Sequence, residues 1–265
     1  VADRHPDDKT NASREKLIVA LDFPSLGPAI EMARRLRPQV TRFKVGMQLF
    51  TAEGPRALER LASLGVRLFL DLKFHDIPNT VRGAVAAAAD LPAVDLLTVH
   101  ALGGAEMLRA ASEALASRDR RPKLLAITLL TSLSPSALSQ MGLPRKPGPL
   151  VLRLGRLARR QGLDGLVCSA EEARRLRRAL GPQCLLAVPG IRPLSAAEHD
   201  QARTATPSAA LRAGADLLIV GRPITRAASP EAAAAAILAE IASVLDGLDQ
   251  RRIRAEHDGG ALPER

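Results

Sequence analysis

The sequence predicts an α/β fold, a single-domain (β/α)8 (TIM) barrel. Three observations predict it. Eight short apolar runs rich in β-branched residues recur along the chain, as parallel strands covered on both faces require. Helical, Ala- and Leu-rich patterns lie between the runs, the alternation of α/β proteins. The chain has 265 residues, and single barrels of this type run to ~250. An open doubly wound sheet is the alternative, but no G-x-G-x-x-G follows the first run.

In order, LIVALD (17–22) is the first strand and ends on Asp22. PAIEMARRLR (28–37) is helical and leads to TRFKVG (41–46), with Lys44 near its end. VRLFLDL (66–72) is the third strand, with Asp71 at its end and Lys73 just beyond. VDLLTVH (94–100) precedes the helical EMLRAASEALAS (106–117). KLLAITLL (123–130) is followed by a Ser-, Pro- and Gly-rich stretch, 132–148, read as a loop with a short helix. LDGLVCS (163–169), the helical ARRLRRAL (173–180), CLLAVPG (184–190) and DLLIVG (216–221) complete the alternation. No second-domain boundary is visible, so the barrel is expected over 15–247. Residues 1–14 and 248–265 are expected as flexible tails.

Composition removes several classes of function. Apolar residues make up 46% and charged residues 25%, a globular balance rather than a disordered one. Aromatics are only 2%, too few for a sheet that stacks nucleic-acid bases. Cys168 and Cys184 cannot build a disulfide framework or a four-thiolate zinc site. The first residues lack the apolar core of a signal peptide. The longest apolar stretch, 232–245, is interrupted by Glu240 and too short for a bilayer. A cytoplasmic protein without membrane contact is expected. The net charge of +10 raises nucleic-acid binding as a possibility. Its densest block, 153–178, holds eight Arg against Asp164, Glu171 and Glu172. No nucleic-acid motif accompanies it, so solvated faces of Arg-rich helices are the better account.

The informative charges sit at strand ends. In parallel barrels, active groups gather at the C-terminal ends of strands, and a charge within an apolar strand is costly unless paired. Asp71 and Lys73 are two residues apart and so share a face, with Lys44 on the neighbouring strand ~4.8 Å away. Asp76 follows in the next loop. Alternating lysines and aspartates hold one another ionised. A structural ion-pair network closing the barrel top is the bland alternative. PGIRP (189–193) and GRPIT (221–225) follow the last two strands, where such barrels frequently bind phosphate. Gly221 permits close backbone approach, and Arg222 offers a planar, permanently charged fork.

Taken together, LIVALD, FKVG, LFLDLKFHDIPNTV, VHALGG, ITLLTSL, GLDGLVCSA, VPGIRP, DQARTATPSAAL and GADLLIVGRPIT resemble the orotidine 5′-phosphate decarboxylase family, most closely its bacterial form. The match runs from about residue 17 to residue 230, and D-x-K-x-x-D-I-P-x-T, Asp71 to Thr80, is its most specific part. The resemblance implies a homodimer with sites at the subunit interface. It implies conversion of orotidine 5′-monophosphate to UMP and CO2, the last step of de novo UMP synthesis, with neither metal nor organic cofactor.

The same resemblance implies individual roles. Lys73 donates the proton to C6, with Asp71, Lys44 and Asp76 as its catalytic companions. Asp76 and Thr80 reach the partner subunit's site. Asp22, Lys44 and Thr80 bind the ribose, while Ser132, next to Thr131 in the substrate-binding set, reads the pyrimidine edge. Arg222 and Gly221 hold the phosphate. Arg192 and Gln201 lie on a loop, 190–207, that closes over the ligand. His75 and His100 invite a general-base role, but a packing role suffices because Lys73 already supplies an acid. Cys168 reads as a buried apolar cysteine. A Mg2+-dependent sugar-phosphate decarboxylase or aldolase on the same scaffold is the near alternative. A non-catalytic nucleotide-binding protein is the more distant one.

Overall fold

A computed structural model of the protein describes residues 6–193 and 204–258, with side chains described for 10–193 and 204–250. Among these, eight parallel strands close into a barrel in sequence order. They are β1 (Leu17–Ala20), β2 (Arg42–Gly46), β3 (Arg67–Phe74), β4 (Val94–His100), β5 (Lys123–Ile127), β6 (Gly165–Val167), β7 (Leu185–Val188) and β8 (Leu217–Val220). The last strand pairs back onto the first through Leu17↔Leu218, Ile18↔Ile219 and Val19↔Val220. The single-domain barrel expected from the alternation is therefore the observed fold. The short helix expected within 132–148 is Pro135–Gln140.

Strand side chains alternate, so each strand feeds two cores. One residue set packs outward against the helical ring, which buries Leu17, Val19, Phe43, Leu68 and Leu70 completely. The other set fills the barrel interior: Ile18, Phe69, Leu96, Leu125, Ile127 and Ile219 belong to this inner cluster. Interior positions of small barrels are filled in layers, as a packed core rather than a pore.

Helices reach into both end segments. Pro6–Lys16 is a helix, and the last helix runs from Pro230 to Asp258. The segments 1–14 and 248–265 are therefore helical in part. The first helix is held by contacts that span the sequence. Ser13 is buried, the Arg14 guanidinium donates to the carbonyls of Gln39 and Pro38, and Glu15 pairs with Arg67. Beside it, the buried Arg42 grips Asp95 with Nε and Nη2, at 2.9 and 2.7 Å from Oδ2. This network sits at the N-terminal ends of the strands, opposite the mouth.

The register between β3 and β4 shifts twice, and the second shift lies at the barrel mouth. Between β3 and β4, Leu70 pairs with Leu97 but Phe74 pairs with Val99. Three β3 residues, Asp71 to Lys73, thus face a single β4 residue, Thr98. Within this bulge Lys73 takes a left-handed φ of 54°, uncommon for a residue with a Cβ.

Candidate active site

Counting inward positions upward by twos leads from the apolar interior to the site. On β1 the series Ile18, Ala20 continues to Asp22. On β3, Phe69 is followed by Asp71, on β4 Leu96 by Thr98, and on β8 Ile219 by Gly221. The apolar layer is the floor, and the next polar position on each strand stands on it. Above the floor lies a cavity of about 580 Å³, lined by Asp22, Lys44, Asp71, Lys73, Gly221 and Arg222 among others. Ile127, Val167, Ile219 and Leu129 form an apolar wall, and Thr131 and Arg192 also face it.

Two lysines bracket one carboxylate. Lys73 Nζ lies 2.8 Å from Asp71 Oδ2, and Lys44 Nζ lies 3.7 Å from the same oxygen. Lys44 Nζ also donates to Asp22 Oδ1 at 2.9 Å. Asp71 and Lys44 are buried, while Lys73 keeps 30% of its side chain exposed and lines the cavity. Burial pushes the Asp71 carboxyl up. The charges of Lys44 and Lys73, with hydrogen bonds from Lys73 and Thr98, outweigh burial and hold it below the ordinary carboxylate value.

Two contributors were missed in the sequence. Thr98, fully buried, donates from Oγ1 to Asp71 Oδ1 at 2.9 Å and accepts the Lys73 N–H at 2.9 Å. Gly46 ends β2 with ordinary backbone angles, φ −96° and ψ −176°. A Cβ there would stand 2.9 Å from Lys44 Nζ and 3.0 Å from Asp22 Oδ1, so its bareness is steric. A threonine inside an apolar strand and a glycine at a strand end carry no distinctive sequence signal.

The remaining predicted residues fall in three places. Arg192 sits at the base of its loop, where its N–H donates to the Ala205 carbonyl at 2.9 Å and Ile191 bridges to Ala205. Gln201 lies outside the described residues. Ser132 is exposed beside Thr131 and is not among the cavity-lining residues. Asp76 and Thr80 are exposed outside the cavity. Asp76 Oδ1 accepts the Ile77 N–H at 2.6 Å, at the start of helix Pro78–Ala89. Next to them Ile77 leaves 66% of its surface exposed.

His75 and His100 stack with ring centroids 5.1 Å apart and planes 15° from parallel. His100 Nδ1 accepts the Leu102 N–H at 3.3 Å, capping a short 3-10 turn, Ala101–Gly103. Burial first, then the neighbouring His75 and Lys73, lower its pKa to about 4. A neutral, capping imidazole fits the packing role. Cys168 and Cys184 are free and buried, and burial drives the Cys168 thiol well above its ordinary value, which leaves it inert. In the Arg-rich block, Arg177 is structural: it donates to the carbonyls of Gly214, Gly181 and Cys184 and pairs with Asp216. Among the described residues no helix is long and apolar enough to cross a membrane.

Fold and site together define a (β/α)8-barrel enzyme whose polar centre is a buried lysine–aspartate–lysine cluster at the C-terminal mouth. The model of the family described as "Orotidine 5′-phosphate decarboxylase / HUMPS family" matches residues 15–237. Orotidine 5′-phosphate decarboxylase of Halorhodospira halophila is 54% identical over 228 residues, 86% of this chain and 96% of that protein. The enzyme of the same name from Nitrosococcus oceani is 51% identical over 231 residues, 87% and 99% of the two chains. Among solved structures, the orotidine 5′-phosphate decarboxylase of Lactobacillus acidophilus superposes with a TM-score of 0.74 at 38% identity. It covers 86% of this chain and 99% of its own. The chain belongs to this family and is a carboxy-lyase.

Proposed function

We propose that this protein converts orotidine 5′-monophosphate to UMP and CO2, the last step of de novo UMP synthesis, with Lys73 as the proton donor to C6. The observation that carries the proposal is the Lys44–Asp71–Lys73 cluster at the floor of a cavity with one apolar wall. Decarboxylation breaks the bond from C6 to its carboxyl carbon and leaves the electron pair on C6. That pair lies in the ring plane, where the π-system cannot delocalise it. The site must therefore supply positive charge where the pair develops, and then a proton. An ammonium does both. The Lys73 amine left behind takes its proton back from water.

The surrounding residues have distinct tasks. Asp71, held ionised, keeps Lys73 charged and aimed. Lys44 balances Asp71, and with Asp22 it meets the ribose hydroxyls. Gly221, Arg222 and Arg192 take the phosphate, Thr131 and Ser132 the pyrimidine edge. Gln201 bridges phosphate and base as loop 190–207 closes. Phosphate binding is remote from the breaking bond, yet its energy can organise the closed site. Asp76 and Thr80, exposed beside Ile77, complete the site of a second subunit in a homodimer. The chemistry calls for no metal and no organic cofactor, and a cytoplasmic setting fits a nucleotide-synthesis step.

The test follows loss of orotidine monophosphate by ultraviolet absorbance, with EDTA present, for wild type and Lys73→Ala. Turnover by wild type that collapses in the variant supports both reaction and acid. A folded wild type without turnover overturns the proposal, and sugar phosphates with Mg2+ are then the substrates to try.

A further inference from the structure

We propose that Thr98 is a positioning residue for the reaction. Its single hydroxyl, donating once and accepting once, locks the Asp71 carboxylate and the Lys73 backbone into the arrangement that presents the Lys73 ammonium. The proposal rests on the role given above to Lys73.

The strand geometry creates the need. Thr98 is the one β4 residue opposite three on β3, because the register jumps from Leu70↔Leu97 to Phe74↔Val99. A bulge of this kind removes regular ladder partners from the residues inside it. A backbone N–H without a partner in a buried setting is costly. The Lys73 N–H finds its acceptor in Thr98 Oγ1 at 2.9 Å. That contact also anchors a residue whose φ of 54° would be strained without surrounding support.

The same hydroxyl then turns outward to the carboxylate. Its proton goes to Asp71 Oδ1 at 2.9 Å, while Lys73 Nζ takes the other oxygen, Oδ2, at 2.8 Å. The contacts close a ring: hydroxyl to carboxylate, carboxylate to ammonium, and back along Lys73 to its own N–H. Both ends of the Lys73 side chain are thereby referenced to one buried atom. Thr98 is fully buried and is not among the residues lining the cavity. It acts through its neighbours and does not touch the substrate. Valine has the same outline but leaves the Lys73 N–H and Asp71 Oδ1 unpaired, and serine restores the hydroxyl.

The experiment compares wild type, Thr98→Val and Thr98→Ser in kcat and KM for orotidine monophosphate, with far-UV circular dichroism confirming the fold. Thr98→Val is expected to lower kcat about 10- to 100-fold, the scale of a lost hydrogen bond to a charged group, with KM within about threefold. Thr98→Ser is expected to recover kcat to within about fivefold of wild type, because it returns both hydrogen bonds. Should Thr98→Val fail to fold, Thr98→Ala removes the hydroxyl with a smaller side chain and is judged identically. A folded hydroxyl-free variant that keeps its kcat overturns the proposal. So does a loss that serine does not repair, or one confined to KM. Wild type without turnover overturns the parent assignment instead, which separates the two failures.

Discussion

Replacing Gly46 by alanine tests how tightly the mouth is set, because the change adds one methyl group at one known point. The backbone at Gly46, φ −96° and ψ −176°, suits any residue. No strain arises from the main chain, and removing a glycine's freedom in the unfolded state stabilises by about 0.4–1 kcal/mol. The cost falls on the site. The new carbon would stand 2.9 Å from Lys44 Nζ and 3.0 Å from Asp22 Oδ1. Ordinary contact begins near ~3.5 Å, so one or both groups must withdraw by about half an ångström. Lys44 Nζ, the nearer atom, has to give way at the end of its flexible side chain, and Asp22, with 55% of its side chain exposed, swings aside. Their 2.9 Å hydrogen bond is then lost. A hydrogen bond involving charged groups contributes ~1.5–3 kcal/mol, and the exposure of Asp22 places this one at the low end. At about 1.4 kcal/mol per factor of ten, kcat/KM should fall roughly tenfold. The assay pairs initial rates at low orotidine monophosphate with a thermal melt. Activity down about tenfold with an unchanged or slightly raised Tm is the expected result. A folded variant with kcat/KM within about twofold of wild type would refute the claim that the Lys44–Asp22 contact matters to the reaction.

Other outcomes follow from the same geometry. Lys73→Ala should abolish turnover in a protein that still folds, because Lys44 remains beside the buried Asp71, with the Tm lowered by the lost ion pair. Unreacted orotidine monophosphate, followed by absorbance, measures this directly. If Asp76 serves the neighbouring subunit, mixing inactive Lys73→Ala and Asp76→Ala proteins should restore about a quarter of wild-type activity. Half the dimers would be mixed, and each would hold one intact site. No recovery after confirmed subunit exchange would place Asp76 in its own subunit's site. His100, held down to about 4 from an ordinary 6.5, stays neutral in the fold while an unfolded chain takes a proton. Its contribution is therefore complete above pH 6.5 and is lost as pH falls toward 4. Urea unfolding at pH 7.5 and pH 5 should show wild type losing more stability than His100→Asn, and equal losses would contradict the assignment.

Much of this was legible in the chain because the physics is local. Asp22, Lys44 and Asp71 stand out as charges at the ends of apolar runs, and two-residue alternation puts them on the inner face. The Asp71–Lys73 pair was anticipated from the same alternation, although the strand is bulged there and Lys73 is left-handed. Thr98 spans the irregularity with hydrogen bonds to both residues. That irregularity was invisible because a register slip belongs to two strands at once. Nothing in VDLLTVH distinguishes a threonine that spans a bulge from one that fills space. The helix at Pro6–Lys16 was missed for a related reason. Its residues are polar and balanced in charge, and its anchors, Gln39 and Arg67, lie far along the chain. Strand ends were read unevenly: LIVALD includes the loop that carries Asp22, whereas β1 stops at Ala20, VDLLTVH is β4 in full, and β3 runs on to Phe74, past the expected residue 72.

The apolar layer beneath the cluster also governs traffic. Phe69, Leu96, Leu125 and their neighbours fill the barrel's bore with buried apolar side chains, and the Arg42–Asp95 pair lies below them. A gas molecule released beside Lys73 would have this packed apolar layer behind it. Its shortest escape is forward, through the doorway by which the nucleotide came. On the closure proposed above, a covered doorway would keep both products together until it opened. Departure, and not only bond breaking, is then a step that substitutions along the rim can slow.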